Sequence, residues 1–179
     1  MKKFIKTLVL TLIIVTSVTP VAVYAQPSTR TVVKKYDEWS DRYIFDGRYN
    51  SPNAWLTDIN KDGVLEMILQ YEEGVRSGLR VYTYKNGKII LMKKLSGING
   101  FNRVKGTKYL SVEWSNGAFD SGCTVYKMAG TKLKQVYTYR MLSSGNYTKY
   151  TKNGKVISRS EFEKFYKKLC KFSYHSWNY

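Results

Sequence analysis

Apolar and polar residues alternate along the middle of the chain in a way that predicts β-strands. The alternation, rich in Val, Ile, Tyr and Trp, runs through residues 79–84, 88–92, 109–114, 124–128 and 133–141. Asn-Gly pairs between such segments favour hairpins, because both central positions of a type I′ turn need a positive φ. Four such pairs begin at Asn86, Asn99, Asn116 and Asn153. The sequence therefore predicts an antiparallel meander of about six to nine strands.

The apolar spacing changes to that of a helix before this region. A single stripe is formed by Val32, Tyr36, Trp39 and Tyr43. These residues recur every three or four positions, which predicts an amphipathic helix over residues 31–43.

A second helical stripe follows the strands. It consists of Phe162, Phe165, Tyr166 and Leu169. Ser160 and Glu163, at the start of this stripe, have the spacing of a capping box. In such a box the side chain of each residue accepts a hydrogen bond from the backbone amide of the other. The predicted fold class is therefore α+β, with the antiparallel meander sheet flanked by an N-terminal and a C-terminal helix.

The first 25 residues have the pattern of a secretory signal peptide. Three lysines precede an apolar run over residues 8–15, and Val23-Tyr24-Ala25 fits a small-residue cleavage site. A retained anchor is the alternative, but the run is shorter than the roughly 20 residues that a spanning helix needs. We therefore expect residues 26–179 to form a single mature α+β domain, exported to the medium or the cell wall, with no membrane span after cleavage.

Lys and Arg outnumber Asp and Glu by 30 to 13, which gives a formal net charge of +17. A charge of this size informs about partners and solubility and not about the fold. In an exported protein it favours an anionic cell-wall polymer, an acidic glycan, lipid headgroups or extracellular nucleic acid as the partner. Another secreted protein is a further class of partner.

One short segment stands out from this basic background because it gathers three acidic residues. Residues 58–66 read D-x-N-x-D-G-x-x-E. Such a pattern presents several oxygen ligands to one point, as a hard cation such as Ca²⁺ requires. The donors that it supplies are Asp58, Asn60, Asp62, the carbonyl of Val64, and Glu66. An EF-hand would need a glutamate at the twelfth position, where this chain has Leu69, so the EF-hand class is excluded.

The segment resembles the calcium loop of FG-GAP/VCBS-type repeats and integrin-like propellers, in which D-x-[DN]-x-D-G-x-x-[DE] lies within a β-hairpin. The chain is also similar to small exported proteins of Gram-positive bacteria, mostly of unknown activity, in which an N-terminal helix precedes such a loop. Met67 stands where those proteins usually have Leu. The resemblance implies export, a structural Ca²⁺ and the fold more than it implies a function, and a single loop copy argues against a multi-blade propeller.

A metal-free acidic turn is the alternative interpretation of this loop. Asp-Gly alone makes a good turn, and Asn60 and Asp62 can cap their own backbone. Three converging carboxylates would nevertheless repel one another without a cation. We therefore favour a bound cation that is structural and not catalytic.

The two cysteines, Cys123 and Cys170, would lie in an oxidising compartment after export. A disulfide between them would tie the middle of the chain to its last helix. Two buried thiols are the alternative, and the sequence leaves the choice open.

Tyrosines and arginines on two predicted strands form a candidate binding surface. Its members are Arg80, Tyr82, Tyr84, Tyr137, Tyr139 and Arg140. Aromatic and basic side chains on one sheet face can stack on sugars or bases and attract anions. The alternative is that one of these tyrosine faces is core beneath a helix.

No catalytic residues are assigned from the sequence. A Cys123–His175 pair lacks an identifiable third residue to orient it. A secreted metal-dependent hydrolase of the phosphodiesterase or nuclease type is the alternative function, with arginines stabilising the phosphate. The arginines in question, Arg42, Arg48, Arg76, Arg80 and Arg103, have no diagnostic spacing. We favour a non-enzymatic exported domain that binds anionic polymers, and the sequence does not identify the ligand.

Overall fold

The computed structural model describes residues 26–43, 50–73, 76–170 and 175–176. The predicted signal peptide lies outside these residues. The helices are α1 (Thr29–Tyr43) and α2 (Arg159–Tyr166). The strands are β1 (Asn50–Thr57), β2 (Glu66–Glu73), β3 (Arg76–Lys85), β4 (Lys88–Val104), β5 (Tyr109–Ser115), β6 (Asp120–Ala129), β7 (Lys132–Ser144), β8 (Tyr147–Lys152), β9 (Lys155–Ile157), β10 (Leu169–Cys170) and β11 (His175–Ser176).

The described strands form one antiparallel sheet. β1 to β9 follow one another as a meander, β11 pairs with the outer edge of β1, and β10 pairs with β4. The predicted α+β class and antiparallel meander are confirmed. There are more strands than expected because β9, β10 and β11 have only two or three residues each, too few to show an alternating pattern.

The sheet curves so that its two halves enclose a common core. Ile68 and Val81 of the first half share one hydrophobic cluster with Leu110 and Val112 of the second half. The 17-residue strand β4 is paired with β3 in its first part and with β5 in its last part, and thereby joins the halves. Each half consequently has one inner face, which lies in this cluster, and one outer face.

Helix α1 packs on the outer face of the first half. Val32 and Tyr36 are fully buried against Met67 and Tyr82, and the ring of Trp39 lies 4.8 Å from that of Tyr82. Because successive side chains of a strand point to opposite faces, Met67 faces α1 while the next residue, Ile68, faces the common core. The stripe predicted for this helix is confirmed for Val32, Tyr36 and Trp39, and the side chain of Tyr43 lies outside the described part of the structure.

Helix α2 packs on the outer face of the second half, but its cap differs from the prediction. Ser158, and not Ser160, is the N-cap, and its hydroxyl accepts a hydrogen bond from the Glu161 amide at 3.1 Å. Glu163 instead accepts a hydrogen bond from Arg159 at 2.6 Å. With Ser158 as the N-cap, the residue at the third helical position is Glu161 and not Glu163, so Glu163 lies beyond the reach of a capping box.

The helix is also shorter than its apolar stripe suggested. Phe162 and Phe165 are buried, as predicted, and Phe165 stacks on Tyr139 with ring centroids 3.9 Å apart. The chain leaves the helix after Tyr166, and Leu169 pairs with β4 as part of β10. Leu169, the last residue of the predicted stripe, therefore belongs to the sheet and not to the helix.

Two of the four Asn-Gly pairs form the predicted tight turns. Asn86-Gly87 and Asn153-Gly154 have positive φ at both positions and connect β3 to β4 and β8 to β9. Asn116-Gly117 lies in the longer connection between β5 and β6, and only Gly117 has positive φ. Asn99-Gly100 lies inside β4, where the pairing with β5 shifts register, so the turn predicted there is wrong.

Candidate metal centre and binding surfaces

The acidic loop connects β1 to β2 and begins and ends on a paired strand position. Thr57 and Glu66 face each other in the register of these strands. The strands predicted on both sides of the loop are therefore confirmed. Within the loop Lys61 and Gly63 have φ of 58° and 86°, a backbone conformation that glycine adopts at little cost. These two residues turn the chain back on itself.

The side chains of the loop hold its backbone in shape. The Asp58 carboxylate accepts hydrogen bonds from the amides of Asp62 (3.1 Å) and Gly63 (2.8 Å). Asp62 accepts one bond from the Val64 amide at 2.9 Å and one from the Asn60 side-chain amide at 2.7 Å. The polar side chains at loop positions 1, 3 and 5 are thus linked by one hydrogen-bond network.

Glu66 is the buried member of the set. It is fully inaccessible to solvent and accepts hydrogen bonds from the Ile59 amide at 2.9 Å and from Thr83 Oγ1 at 3.2 Å. Burial raises the pKa of this carboxyl to about 8, and the nearby charges of Asp62 and Asp58 act in the same direction. Among the described residues that shift this pKa there is no positive charge to balance the ionised form of the carboxyl.

The donor set fits a hard cation in its chemistry, since every donor is an oxygen and three are carboxylates. Among the described residues, however, no three His, Cys, Asp or Glu side chains converge closely enough to hold a metal ion by themselves. The carboxylates of Asp58 and Glu66 each point at separate amide partners. A cation here would also need the Asn60 side chain and the Val64 carbonyl.

A cleft of about 860 Å³ opens beside the loop. Its walls include the loop, the turn after β3 and the turn after β6, and they comprise Gln26, Asp62, Val64, Lys85, Asn86, Met128 and Thr131 among others. Gln26 closes one side because its Nε2 donates to the Asp62 carbonyl at 2.7 Å. The basic side chain among the described lining residues is Lys85, and no arginine is among them.

The arginines considered for a hydrolase are not gathered at this cleft. Arg42 lies on α1, and the Arg80 guanidinium lies 5.5 Å from the centre of the Tyr71 ring. Arg103 lies in β4 opposite β10. Arg48 and the side chain of Arg76 lie outside the described part of the structure.

The tyrosine surface expected from the sequence is wrong for three of its four tyrosines. Tyr82 and Tyr84 are 4% and 9% exposed beneath α1, and Tyr139 is 6% exposed beneath α2. Tyr137 is half-buried at the edge of the hydrophobic cluster that includes Phe162 and Phe165 of α2. Each tyrosine pair does share one strand face, but a helix covers that face, so that the rings form core instead of a binding surface.

The two arginines of that expected surface are also engaged. Arg80 packs on Tyr71, as described above. Arg140 points to the opposite face of β7 from Tyr139 and forms a two-pronged ion pair with Asp120, with distances of 2.7 and 2.9 Å. Its hydrogen bonds hold the pKa of the Asp120 carboxyl below its usual value.

The disulfide considered from the sequence is absent: Cys123 and Cys170 are both free thiols. Cys170 lies in β10, and β4 and β5 separate that strand from β6, which carries Cys123. Three strand spacings amount to about 14 Å. A disulfide bridges Cα atoms no more than about 7 Å apart. The sheet order thus keeps the two thiols apart.

A basic surface beside α2 was not identified from the sequence. Lys127 in β6 lies directly opposite Lys134 in β7, and Lys152 in β8 lies directly opposite Lys155 in β9. The register places both pairs on the strand face that carries Tyr139, since Tyr139 pairs with Lys152. Lys132 belongs to the same face. We call these five lysines the basic surface.

The sequence did carry a signal for this surface. Residues 121–158 contain seven Lys or Arg and no Asp or Glu. The overall charge hides this asymmetry, because nine of the 13 acidic residues lie within the first 73 positions. A count of charges segment by segment along the chain would have located the basic surface.

Comparison with known proteins gives no match to a protein-family model, a curated protein or a solved structure. Within the described residues, neither helix is both long and apolar enough to cross a membrane.

Proposed function

We propose that the chain is an exported binding domain that attaches to anionic polymers at or outside the cell surface. The observation that carries this proposal is the presence of two directly opposed lysine pairs, Lys127 with Lys134 and Lys152 with Lys155, on one sheet face. Like charges directly opposite each other across a strand pair destabilise a sheet. An anion bound between such lysines would remove that repulsion.

Long-range electrostatics supports the same proposal. The strands β6 to β9 contribute basic residues and, after Asp120, no acidic ones. A surface of one sign raises the local concentration of oppositely charged ligands and speeds their association. The Lys152 ammonium also lies 4.9 Å from the centre of the half-buried Tyr137 ring. An aromatic side chain therefore borders the basic surface. A cell-wall polymer or an acidic glycan has the charge that this surface would attract.

In this proposal Ca²⁺ is a structural cofactor and does not contact the polymer. The loop donors Asp58, Asn60, Asp62, Val64 and Glu66 would hold it, as the resemblance to FG-GAP-type loops implies. Its charge would balance the buried Glu66 carboxylate. The helices would flank the sheet, with α1 over the loop-bearing half and α2 beside the basic surface. We expect a dissociation constant on the order of 10⁻⁴–10⁻³ M, the range of extracellular calcium modules.

Binding of a fluorescent polyphosphate, followed by anisotropy over a range of salt concentrations, tests the polymer proposal. The double variant Lys127→Gln/Lys134→Gln should weaken binding and lower the salt dependence by about one to two released counterions. Lys34→Gln/Lys35→Gln on α1 is the matched control, because it removes the same charge from exposed positions on the other half. Equal weakening by both double variants would mean that net charge and not the basic surface drives binding.

The hydrolase alternative receives less support from the cleft beside the loop. Phosphoryl chemistry at a metal needs positive groups around the transferred phosphate, and Lys85 is the basic group among the described lining residues. Incubation with polyphosphate, a nucleic acid and a chromogenic phosphodiester in the presence of Ca²⁺ distinguishes the two functions. Turnover that Asp58→Ala abolishes would favour the hydrolase and overturn the proposal of a purely binding domain.

A further inference from the structure

The second half of the sheet has a small pocket on the face opposite the basic surface. Its volume is about 270 Å³. This lies below the roughly 300–1,000 Å³ of pockets that take drug-sized ligands. Its lining includes Trp114, Tyr126, Thr124, Asn116 and Ser96. The pocket therefore combines two aromatic side chains with three neutral polar ones, at a size that suits one small ring.

The position of Trp114 makes one face of its indole ring available to a ligand. Trp114 lies opposite Gly122 in the register of β5 and β6. A Cβ atom on Gly122 would come within 2.9 Å of Trp114 Cζ2, which shows that the indole rests on the bare backbone of this glycine. Its Nε1 donates to Thr124 Oγ1 at 3.2 Å, which fixes the orientation of the ring. A half-buried aromatic ring held in this way is a preformed stacking platform.

The backbone around the pocket is shaped by an irregularity of β4. Gly97 has a φ of 67° and is the unpaired residue at a register shift with β3. A second shift, in the pairing with β5, follows at Asn99. Such bulges bend a strand and redirect its side chains, and they are common beside functional sites. Ser96 and Gly97 precede the first residue of β4 that pairs with β5, Ile98, and both line the pocket.

A cation lies at the aromatic wall. Lys93 Nζ is 5.5 Å from the centre of the Tyr126 ring, and Tyr126 is itself a lining residue. Lys93 is not itself a lining residue, so a ligand that stacks on Trp114 would have to extend a carboxylate past Tyr126 to approach this ammonium group. The Asn116 amide nitrogen already donates to Asp120 Oδ2 at 3.2 Å, and Thr124 Oγ1 already accepts from Trp114. The Asn116 side-chain carbonyl and the Ser96 hydroxyl are the groups that this lining offers to the hydroxyl groups of a ligand.

We propose that this pocket binds one pyranose ring of an acidic glycan. The C–H-rich face of a pyranose is apolar and packs on an indole, while its equatorial hydroxyls need hydrogen-bond partners at the ring edge. The pocket presents both features at one point, together with the charge of Lys93. This site is separate from the basic surface, because the two lie on opposite faces of the same strands. A glycan chain held at both would be bound by two contacts in place of one.

Titration of fluorescent oligogalacturonate, polyphosphate and oligodeoxythymidine against the full mature domain tests the proposal. Trp114→Ala should weaken oligogalacturonate binding by about tenfold, the effect expected of a central aromatic contact, and leave polyphosphate binding unchanged. Trp114→Phe should retain most of the affinity because it keeps an aromatic face. Tyr147→Ala is the matched control, since Tyr147 is an exposed aromatic residue on the same sheet face but outside the pocket.

The possible results separate this proposal from the polymer-binding one. Loss of oligogalacturonate and polyphosphate binding to the same extent in Trp114→Ala would overturn the sugar pocket. A selective loss of oligodeoxythymidine binding would overturn it in favour of base stacking. Polyphosphate binding without any oligogalacturonate binding would overturn the pocket and leave the basic surface in place. Oligogalacturonate binding that depends on Trp114 but not on Lys127 and Lys134 would support the pocket and count against the basic surface.

Discussion

Thr83 Oγ1 donates a hydrogen bond to Glu66 Oε1 over 3.2 Å and thereby ties the last residue of the acidic loop to strand β3. Both side chains are buried, at 5% and 0% exposure. The carboxyl group that the calcium pattern places on the loop is thus also part of the protein's interior. Its protonation state consequently affects the stability of the fold as well as any affinity for a cation.

The buried Glu66 carboxyl makes the stability depend on pH. Its pKa is raised to about 8 in the folded chain and is about 4.3 in an unfolded one. A raised folded-state pKa contributes stability below the unfolded value, and this contribution is lost as the pH rises through about 8. In EDTA we expect the melting temperature to fall between pH 5 and pH 9, and to fall less in Glu66→Gln. Glu72→Gln, at an exposed position in β2, is the control and should behave like the wild type.

Calcium should oppose this loss of stability. A cation at the loop favours the ionised carboxylate, so its binding strengthens as the pH rises. At a concentration of ten to a hundred times the dissociation constant, a ligand stabilises a fold by about 1.4–2.7 kcal/mol. For a domain of this size that corresponds to a rise in melting temperature of roughly 3–10 °C. Asp58→Ala should remove the rise, measured by calorimetry with Ca²⁺ and with EDTA. An unchanged melting temperature in the wild type would show that the loop holds no calcium under these conditions.

Sequence patterns predicted those elements whose causes are local. The stripe beginning at Val32 predicted α1, because helix periodicity needs no knowledge of the partner surface. Asn86-Gly87 predicted a turn because positive φ at two successive residues is a local requirement. The same signal failed at Asn99-Gly100, where the pairing of β4 with β5 continues on both sides of Asn99 and leaves this residue in a bulge.

Features that depend on which surfaces meet were not predictable in the same way. That Tyr82 and Tyr139 each share a face with a second tyrosine follows from alternation, but which face a helix covers follows from the tertiary packing. The opposed pair Lys127 and Lys134 depends on the register between β6 and β7, and this register contains a bulge. Of the four tyrosines that the sequence assigned to a binding surface, three are therefore core, while the basic surface consists of lysines that alternation alone does not bring together.

The separation of the cysteines predicts two free thiols of unequal reactivity. Burial raises the pKa of Cys123, and a buried thiol with a raised pKa reacts slowly. Cys170 is only half-buried. In the native protein we expect one thiol to react readily with a chromogenic disulfide reagent and the other slowly, and both to react in denaturant. Cys170→Ser should remove the fast phase, and reductant should leave the melting temperature unchanged. A chain that shows no free thiol in denaturant would contradict the arrangement of strands described above.

The opposed lysines predict that the basic surface costs stability in the absence of a ligand. Lys134→Glu would replace a repulsive cross-strand pair by an attractive one, and such pairs are worth about 0.2–1 kcal/mol. We expect a higher midpoint of urea unfolding for Lys134→Glu, an intermediate one for Lys134→Gln, and weaker polyphosphate binding in both. The stability gain should shrink at high salt, since exposed charges are screened. A midpoint lowered by either substitution would mean that Lys134 stabilises the fold. The opposed lysines would then no longer support the proposal of an anion-binding surface.

Gly122 is predicted to be required for the packing of β6 against its neighbours. A Cβ atom at this position would lie 2.1 Å from the Tyr139 carbonyl oxygen and 2.9 Å from Trp114 Cζ2. Because the nearer contact is with backbone, side-chain rotation cannot relieve it, and overpacking of this kind costs about 1–3 kcal/mol. Gly122→Ala should therefore lower the free energy of unfolding by that amount, measured in urea, and should displace the Trp114 indole from the backbone of this residue.

Gly100→Ala is the matched control, since a Cβ there would meet only Glu113 Oε2 at 3.8 Å, and it should change stability little. If Gly122→Ala were as stable as Gly100→Ala, then Trp114 could not be resting on the backbone of Gly122, and the stacking platform would have to be abandoned.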